Sequence, residues 1–161
     1  MNIGFILNGE DVMIRSEANV RLIDILRENF GLLGAKNGCL SGKCGCCAVF
    51  FNSRVSHACL IPAFALQGSE VITIEGFSQT EEYADIVNGF NQAKLETCAF
   101  CEAGRILNAG ALLDRIKRPS RAQILYAFNS IKCRCTDPDA LVLGIEKAIE
   151  IRHRRLYGRS T

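Results

Sequence analysis

Nine cysteines in a chain of 161 residues are the side chains on which chemistry can be built. Cys39, Cys44, Cys46 and Cys47 crowd into nine positions of the stretch NGCLSGKCGCCAVF, separated by glycine and small residues, and Cys59 follows Cys47 after eleven intervening residues. The other four form two pairs, Cys98-x2-Cys101 and Cys133-x-Cys135, with thirty-one residues between them. The N-terminus, MNIGFILNGEDVMIRS, has no basic leader, sustained apolar segment or twin arginine, so no signal peptide is expected. No apolar run approaches the ~18–20 residues of a membrane span. The expected home is the cytoplasm, where thiols stay reduced and so many cysteines answer to metal or redox chemistry rather than to disulfides. The odd count leaves at least one outside any paired scheme.

Cys39-x4-Cys44-x2-Cys47, completed by Cys59, is the plant-type ferredoxin spacing for a 2Fe-2S cluster. A loop that wraps a compact inorganic core must turn sharply and aim backbone N–H groups at sulfur. Gly38, Gly42 and Gly45 supply positions without Cβ where this can happen. Such hydrogen bonds favour the reduced, more negative cluster. In the second group, Cys98 and Cys101 open a helical pattern, and Cys133 and Cys135 precede Asp137-Pro138, a helix start. Two helix N-termini would thus converge on one site and favour anionic sulfur. Four thiolates serve a tetrahedral zinc ion equally well, and the spacing of the second group leaves both readings open. Zinc suits the glycine-rich first group less. A thioredoxin-like role for Cys98 and Cys101 would require a βαβ setting, and the surroundings read as helical. His57 lies two residues before Cys59, but with the quartet complete it is expected as a strand or surface residue.

The elements that must position these residues divide into two halves. Ile3, Phe5 and Leu7 alternate, Asn8-Gly9 supplies a turn, and Val12 and Ile14 alternate again, a hairpin signature. Leu22, Ile25, Leu26 and Phe30 have helical spacing, with Gly31 suited to the helix end. AVFFN and RVSHA read as strands, IPAFAL as a helical turn and EVITIEGF as a further strand. Beyond the polar linker EGFSQTEE, four helices are expected. One is capped by Thr80 and carries Tyr83, Ile86, Val87 and Phe90; a second runs through Ile106 and Leu113 to end near Pro119. The third starts at the Ser120/Gln123 capping box, and the last at Asp137-Pro138. The expectation is an α+β chain, with one strand-rich domain over residues 1–76 and a small helical bundle over 77–161.

The segments GAKNGCLSGKCGCCAV, TCAFCEAG and IKCRCTDPD, in this order, resemble the small iron–sulfur subunit of the molybdenum hydroxylases, the xanthine dehydrogenase and aldehyde oxidoreductase family. The resemblance covers essentially the whole chain. It implies an N-terminal ferredoxin-like β-grasp domain followed by a C-terminal four-helix bundle, each with one 2Fe-2S cluster. Carried over by position, Cys39, Cys44, Cys47 and Cys59 would hold the first, and Cys98, Cys101, Cys133 and Cys135 the second. It further implies an electron-transfer subunit that does no substrate chemistry. Electrons would pass from a molybdopterin-binding large subunit, through the helical-domain cluster and then the ferredoxin-type one, to an FAD-binding subunit. Xanthine or another purine is the substrate expected from family frequency. The absence of a GxGxxG agrees with cofactors held by partners. The competing class is a stand-alone 2Fe-2S redox module or sensor.

This chain departs from the family pattern at several places. Thr97 stands where a glutamine commonly contacts the pterin, and Glu102 adds a carboxylate beside the second quartet. If poorly screened, that charge would lower the cluster potential. Asp137-Pro138 replaces Gly-Tyr, and Cys46 occupies a position usually held by a small residue. Arg134, between two ligands, could offset cluster charge or face solvent. Charged residues are 22% of the chain and the net charge is only +2, which argues against nucleic acid or an anionic membrane as partner. The basic RHRRLYGRS run reads as a solvated helix end and tail.

Overall fold

The computed structural model describes residues 1–158. Alternating apolar residues build the first hairpin as expected. Strand β1 (Asn2–Leu7) pairs antiparallel with β2 (Glu10–Arg15) in a register that sets Ile3 opposite Ile14 and Phe5 opposite Val12. Asn8 and Gly9 both take positive φ at the turn, 53° and 87°, the conformation a two-residue hairpin loop requires. Helix α1 (Leu22–Glu28) buries Leu22, Ile23, Ile25 and Leu26 against the same core as Ile3, Phe5 and Leu7. β3 (Ala48–Phe51) and β4 (Arg54–His57) form a second hairpin, and two 3-10 turns follow at Ala58–Leu60 and Ala63–Leu66. β5 (Glu70–Ile72) lies between the hairpins, parallel to β1 and antiparallel to β3, completing a mixed sheet of order β2-β1-β5-β3-β4.

EVITIEGF does not continue as a strand. β5 stops at Ile72, and Ile74–Phe77 form a short helix, α2. The cause lies 65 residues away: Asn8 Oδ1 accepts the Thr73 N–H at 2.8 Å, and Asn8 Nδ2 donates to Thr73 Oγ1 at 3.1 Å. These bonds turn the chain out of the sheet. EGFSQTEE is accordingly an ordered connection, in which Glu75 Oε1 accepts the Gly34 N–H at 2.7 Å.

The helical half follows its local signals. Thr80 Oγ1 accepts the Tyr83 N–H at the start of α3 (Glu81–Gln92). α4 (Glu102–Arg115) opens directly after Cys101. α5 (Arg121–Ala127) starts with the reciprocal Ser120–Gln123 capping box, and α6 (Pro138–Tyr157) with Asp137 accepting the Ala140 N–H at 2.8 Å. A second apolar core joins Ile86, Phe90, Ile106, Leu113, Ile124 and Ile145. At the edge of α3 and α6, the buried Asp85 carboxylate takes a fork from Arg155 at 2.7–3.2 Å; this bond raises the arginine further above its ordinary value. The two halves meet where α4 packs on β3 and β4. Among the described residues no helix is long and apolar enough to cross a membrane. The basic helix end lies on α6, whereas the tail expected after it falls partly on residues 159–161, outside the described residues.

Candidate metal centres

The first site grows from the loop between α1 and β3. Backbone N–H groups of Ser41, Lys43 and Cys44 converge on Cys39 Sγ at 3.4, 3.1 and 3.3 Å, and Cys39 N–H reaches Cys44 Sγ at 3.4 Å. This is the arrangement of donors that the glycine-punctuated spacing demands. The Ser41 side chain, followed by these N–H groups, lowers the exposed Cys39 thiol to about 5. Cys47 and Cys59 are buried side by side, with the Cys59 N–H directed at Cys47 sulfur, and burial pushes the Cys47 thiol up to about 12. The four predicted residues thus stand as two neighbouring pairs, one near the surface, with Cys39 exposed and Cys44 half-buried, and one on the core of the sheet half. Cys46 is buried, its thiol pointing to the Cys44 carbonyl at 3.9 Å.

The second site is tighter. Cys98, Cys101, Cys133 and Cys135 bring their sulfurs within 4.8 Å of one another, and among the described residues no other group of potential metal ligands is gathered in this way. Neighbouring Sγ–Sγ distances around the ring are 3.5, 3.2, 3.2 and 3.6 Å. Cys101 is the N-cap of α4, and the Cys98 carbonyl accepts the N–H groups of Cys101 and Glu102 at 3.1 and 3.0 Å. The Cys101 N–H, with that of Phe100, also lowers the Cys98 thiol. Burial drives Cys101 up to about 12. Cys135 is lowered to about 6; burial opposes this, and the Thr136 hydroxyl and neighbouring thiols overcome it. Thr136 is itself fixed by donating to the Glu96 carbonyl at 2.9 Å.

Several expectations around these sites can be placed. Glu102 and Arg134 are exposed, whereas His57 ends β4. One residue beside these sites was not among those expected: Arg105, one turn beyond Cys101 on α4, is buried beside the second quartet, and its Nη2 reaches the Cys133 carbonyl at 3.4 Å. Its signal is a lone cation within the apolar run of α4, four positions after a ligand candidate. The two sites also touch each other. The Lys132 N–H donates to the Cys44 carbonyl at 3.0 Å. A Cβ on Gly104 would lie 2.6 Å from the Gly45 carbonyl oxygen, so the first loop and the start of α4 meet backbone to backbone.

Four thiolates in a ring suit one zinc ion or one 2Fe-2S cluster, and relatedness chooses between them. Residues 5–70 match the 2Fe-2S iron-sulfur cluster binding domain, and residues 73–146 match the [2Fe-2S] binding domain. Fold and donor set together define a two-centre 2Fe-2S electron-transfer protein, and cysteine-only donors with convergent N–H groups fit such clusters. The chain is 38% identical to the nicotinate dehydrogenase small FeS subunit of Eubacterium barkeri, over 89% of its own length and 92% of the relative's. It is 32% identical to the isoquinoline 1-oxidoreductase subunit alpha of Brevundimonas diminuta, over 91% and 96%. In the crystal structure of quinoline 2-oxidoreductase from Pseudomonas putida 86, one chain superposes with a TM-score of 0.87 at 30% identity, covering 98% of this chain and 97% of that one. The chain belongs to the small iron–sulfur subunits of the molybdenum hydroxylases, and it is an electron-transfer subunit of an oxidoreductase complex.

Proposed function

We propose that Cys39, Cys44, Cys47 and Cys59 hold one 2Fe-2S cluster in a ferredoxin-like domain spanning residues 1–76. Cys98, Cys101, Cys133 and Cys135 hold the other in a helical domain spanning 77–161. The chain works in the cytoplasm between a molybdopterin-binding large subunit and an FAD-binding subunit. When bound, each cluster takes up and releases one electron at a time.

The observation that carries this reading is the hydrogen bond from Lys132 N–H to the Cys44 carbonyl. It connects the residue preceding Cys133 with a proposed ligand of the other centre, so the two sites are joined through one hydrogen bond and the covalent chain. The buried Cys47 and Cys59 anchor the first site to the sheet core, while exposed Cys39 leaves its other edge open to a partner. The relatives matching along 89–96% of both lengths are named for nicotinate and isoquinoline. These names support an N-heteroaromatic ring, a class that includes the expected xanthine, as the substrate of the complex.

The test is native purification of the tagged chain from its host, followed by metal analysis and turnover. The expected result is four irons and four sulfides per small chain, a co-purifying molybdopterin subunit, and oxidation of an N-heteroaromatic acid or azine. Saturation at two irons would overturn the ligand assignment. A chain that purifies alone with four irons would instead make it a free-standing redox module.

A further inference from the structure

Arg105 is 4% exposed and forms no ion pair among the described residues. Its Nη2 donates to the Cys133 carbonyl at 3.4 Å, its guanidinium counters the upward push of burial on the Cys101 thiol, and Nε is shut off from solvent without a partner. The cleft beside it is lined by Lys132 and Arg134, by apolar Ile131 and Leu141, and by no acidic side chain. A guanidinium cannot shed its proton, and an isolated buried charge is among the costliest things a fold can hold. The position requires an anion, and the anion it faces is the second cysteine quartet.

The charge arithmetic gives the direction. Two ferric ions, two sulfides and four thiolates sum to about −2, and one-electron reduction takes the centre to about −3. A fixed cation at contact distance in an apolar setting stabilises the more negative state more strongly, and so favours reduction. Glu102 acts in the opposite sense, but it is exposed, and water and salt screen it. The lowering of potential expected from Glu102 is therefore outweighed by Arg105, which sequence reasoning did not single out.

We propose that Arg105 is the built-in counter-charge of the helical-domain cluster, a positioning residue that raises its potential and thereby sets how readily this site accepts an electron. The inference rests on the ligand assignment above. It is tested by EPR-monitored redox titration of the full chain carrying both clusters, comparing the native protein with Arg105→Met and Arg105→Lys. In Arg105→Met the helical-domain cluster is expected to shift at least tenfold toward the oxidised form at fixed potential, about 59 mV for a one-electron couple. The midpoint of the ferredoxin-type cluster stays where it was, and Arg105→Lys recovers at least half of the shift. Should Arg105→Met fail to retain the helical-domain cluster, retention by Arg105→Lys at near-native potential supports the same role. An unchanged midpoint in a four-iron Arg105→Met protein overturns the proposal, as does a lysine variant that shifts as far as methionine or loses the cluster. Fewer than four irons in the native chain would instead count against the ligand assignment, so the two failures are distinguishable.

Discussion

Cys44, Cys46 and Cys47 are close neighbours in the chain, yet their surroundings assign them different work. Cys44 Sγ receives the Cys39 N–H, and Cys47 lies against Cys59. Cys46 is 6% exposed and bonded only weakly to a backbone carbonyl, so it behaves as a small buried hydrophobe. Cys46→Ala is therefore expected to keep four irons per chain, whereas Cys47→Ala falls to two; iron and sulfide analysis of both variants checks this, and the reverse pattern would overturn the register. The thiols also separate by acidity. With its thiol near 5, Cys39 is a thiolate at pH 7 in the cluster-free chain, while Cys46, pushed up to about 12 by burial, stays protonated. Because the thiolate is the nucleophile, brief iodoacetamide treatment under reducing conditions should label Cys39 well before Cys46. The rate at Cys39 should fall as pH drops toward 5, while its preference over Cys46 persists, because the Cys46 thiolate fraction falls at least as steeply. Equal labelling rates at pH 7, read by mass spectrometry, would contradict the local hydrogen-bond pattern.

The elements divide between those whose causes are local and those whose causes are not. Thr80, Ser120 with Gln123, and Asp137-Pro138 announce their helices because a cap is completed within three residues. The end of β5 and the existence of α2 could not be read, since Asn8 enforces them from across the sheet. The gathering of Cys98, Cys101, Cys133 and Cys135 was legible from spacing, but the contact of the first loop with α4 was not, because Gly104 and Gly45 are far apart in sequence and show nothing but small size. That contact makes a prediction with a definite sign. Gly→Ala inside a helix ordinarily stabilises by roughly 0.5–1 kcal/mol. Here the new Cβ would stand 2.6 Å from a backbone oxygen that no rotamer change can move. Gly104→Ala is thus expected to destabilise by about 1–3 kcal/mol through overpacking, measured as a lower urea midpoint at unchanged slope. A raised midpoint would mean that the two loops do not meet in this way.

At the scale of the whole molecule, two apolar cores, one behind the sheet and one among the helices, must be held at a fixed distance for the two metal sites to stay in contact. The Lys132–Cys44 hydrogen bond alone is too weak for this, since a single such bond contributes about 1 kcal/mol net. Phe77 is placed to do more. Its ring meets Phe50 of β3 edge-on at 5.5 Å and Tyr83 of α3 at 6.3 Å, and it lies over Gly110 of α4, where a Cβ would come within 2.8 Å of Cζ. One half-buried side chain on α2 therefore touches both halves, and each aromatic pair adds roughly 0.5–1.5 kcal/mol beyond area burial. Phe77→Ala is expected to cost about 2 kcal/mol, less than the ~3–5 kcal/mol of a fully buried phenylalanine, and to weaken the coupling between halves more than either core. In urea, loss of helical far-UV signal and loss of the ferredoxin-type cluster absorbance should coincide in the native chain and separate in the variant, as two-state behaviour gives way to stepwise unfolding. If the two probes still coincide in Phe77→Ala at an unshifted midpoint, the halves are held together by the α4 contact with β3 and β4 instead, and the aromatic wedge is incidental.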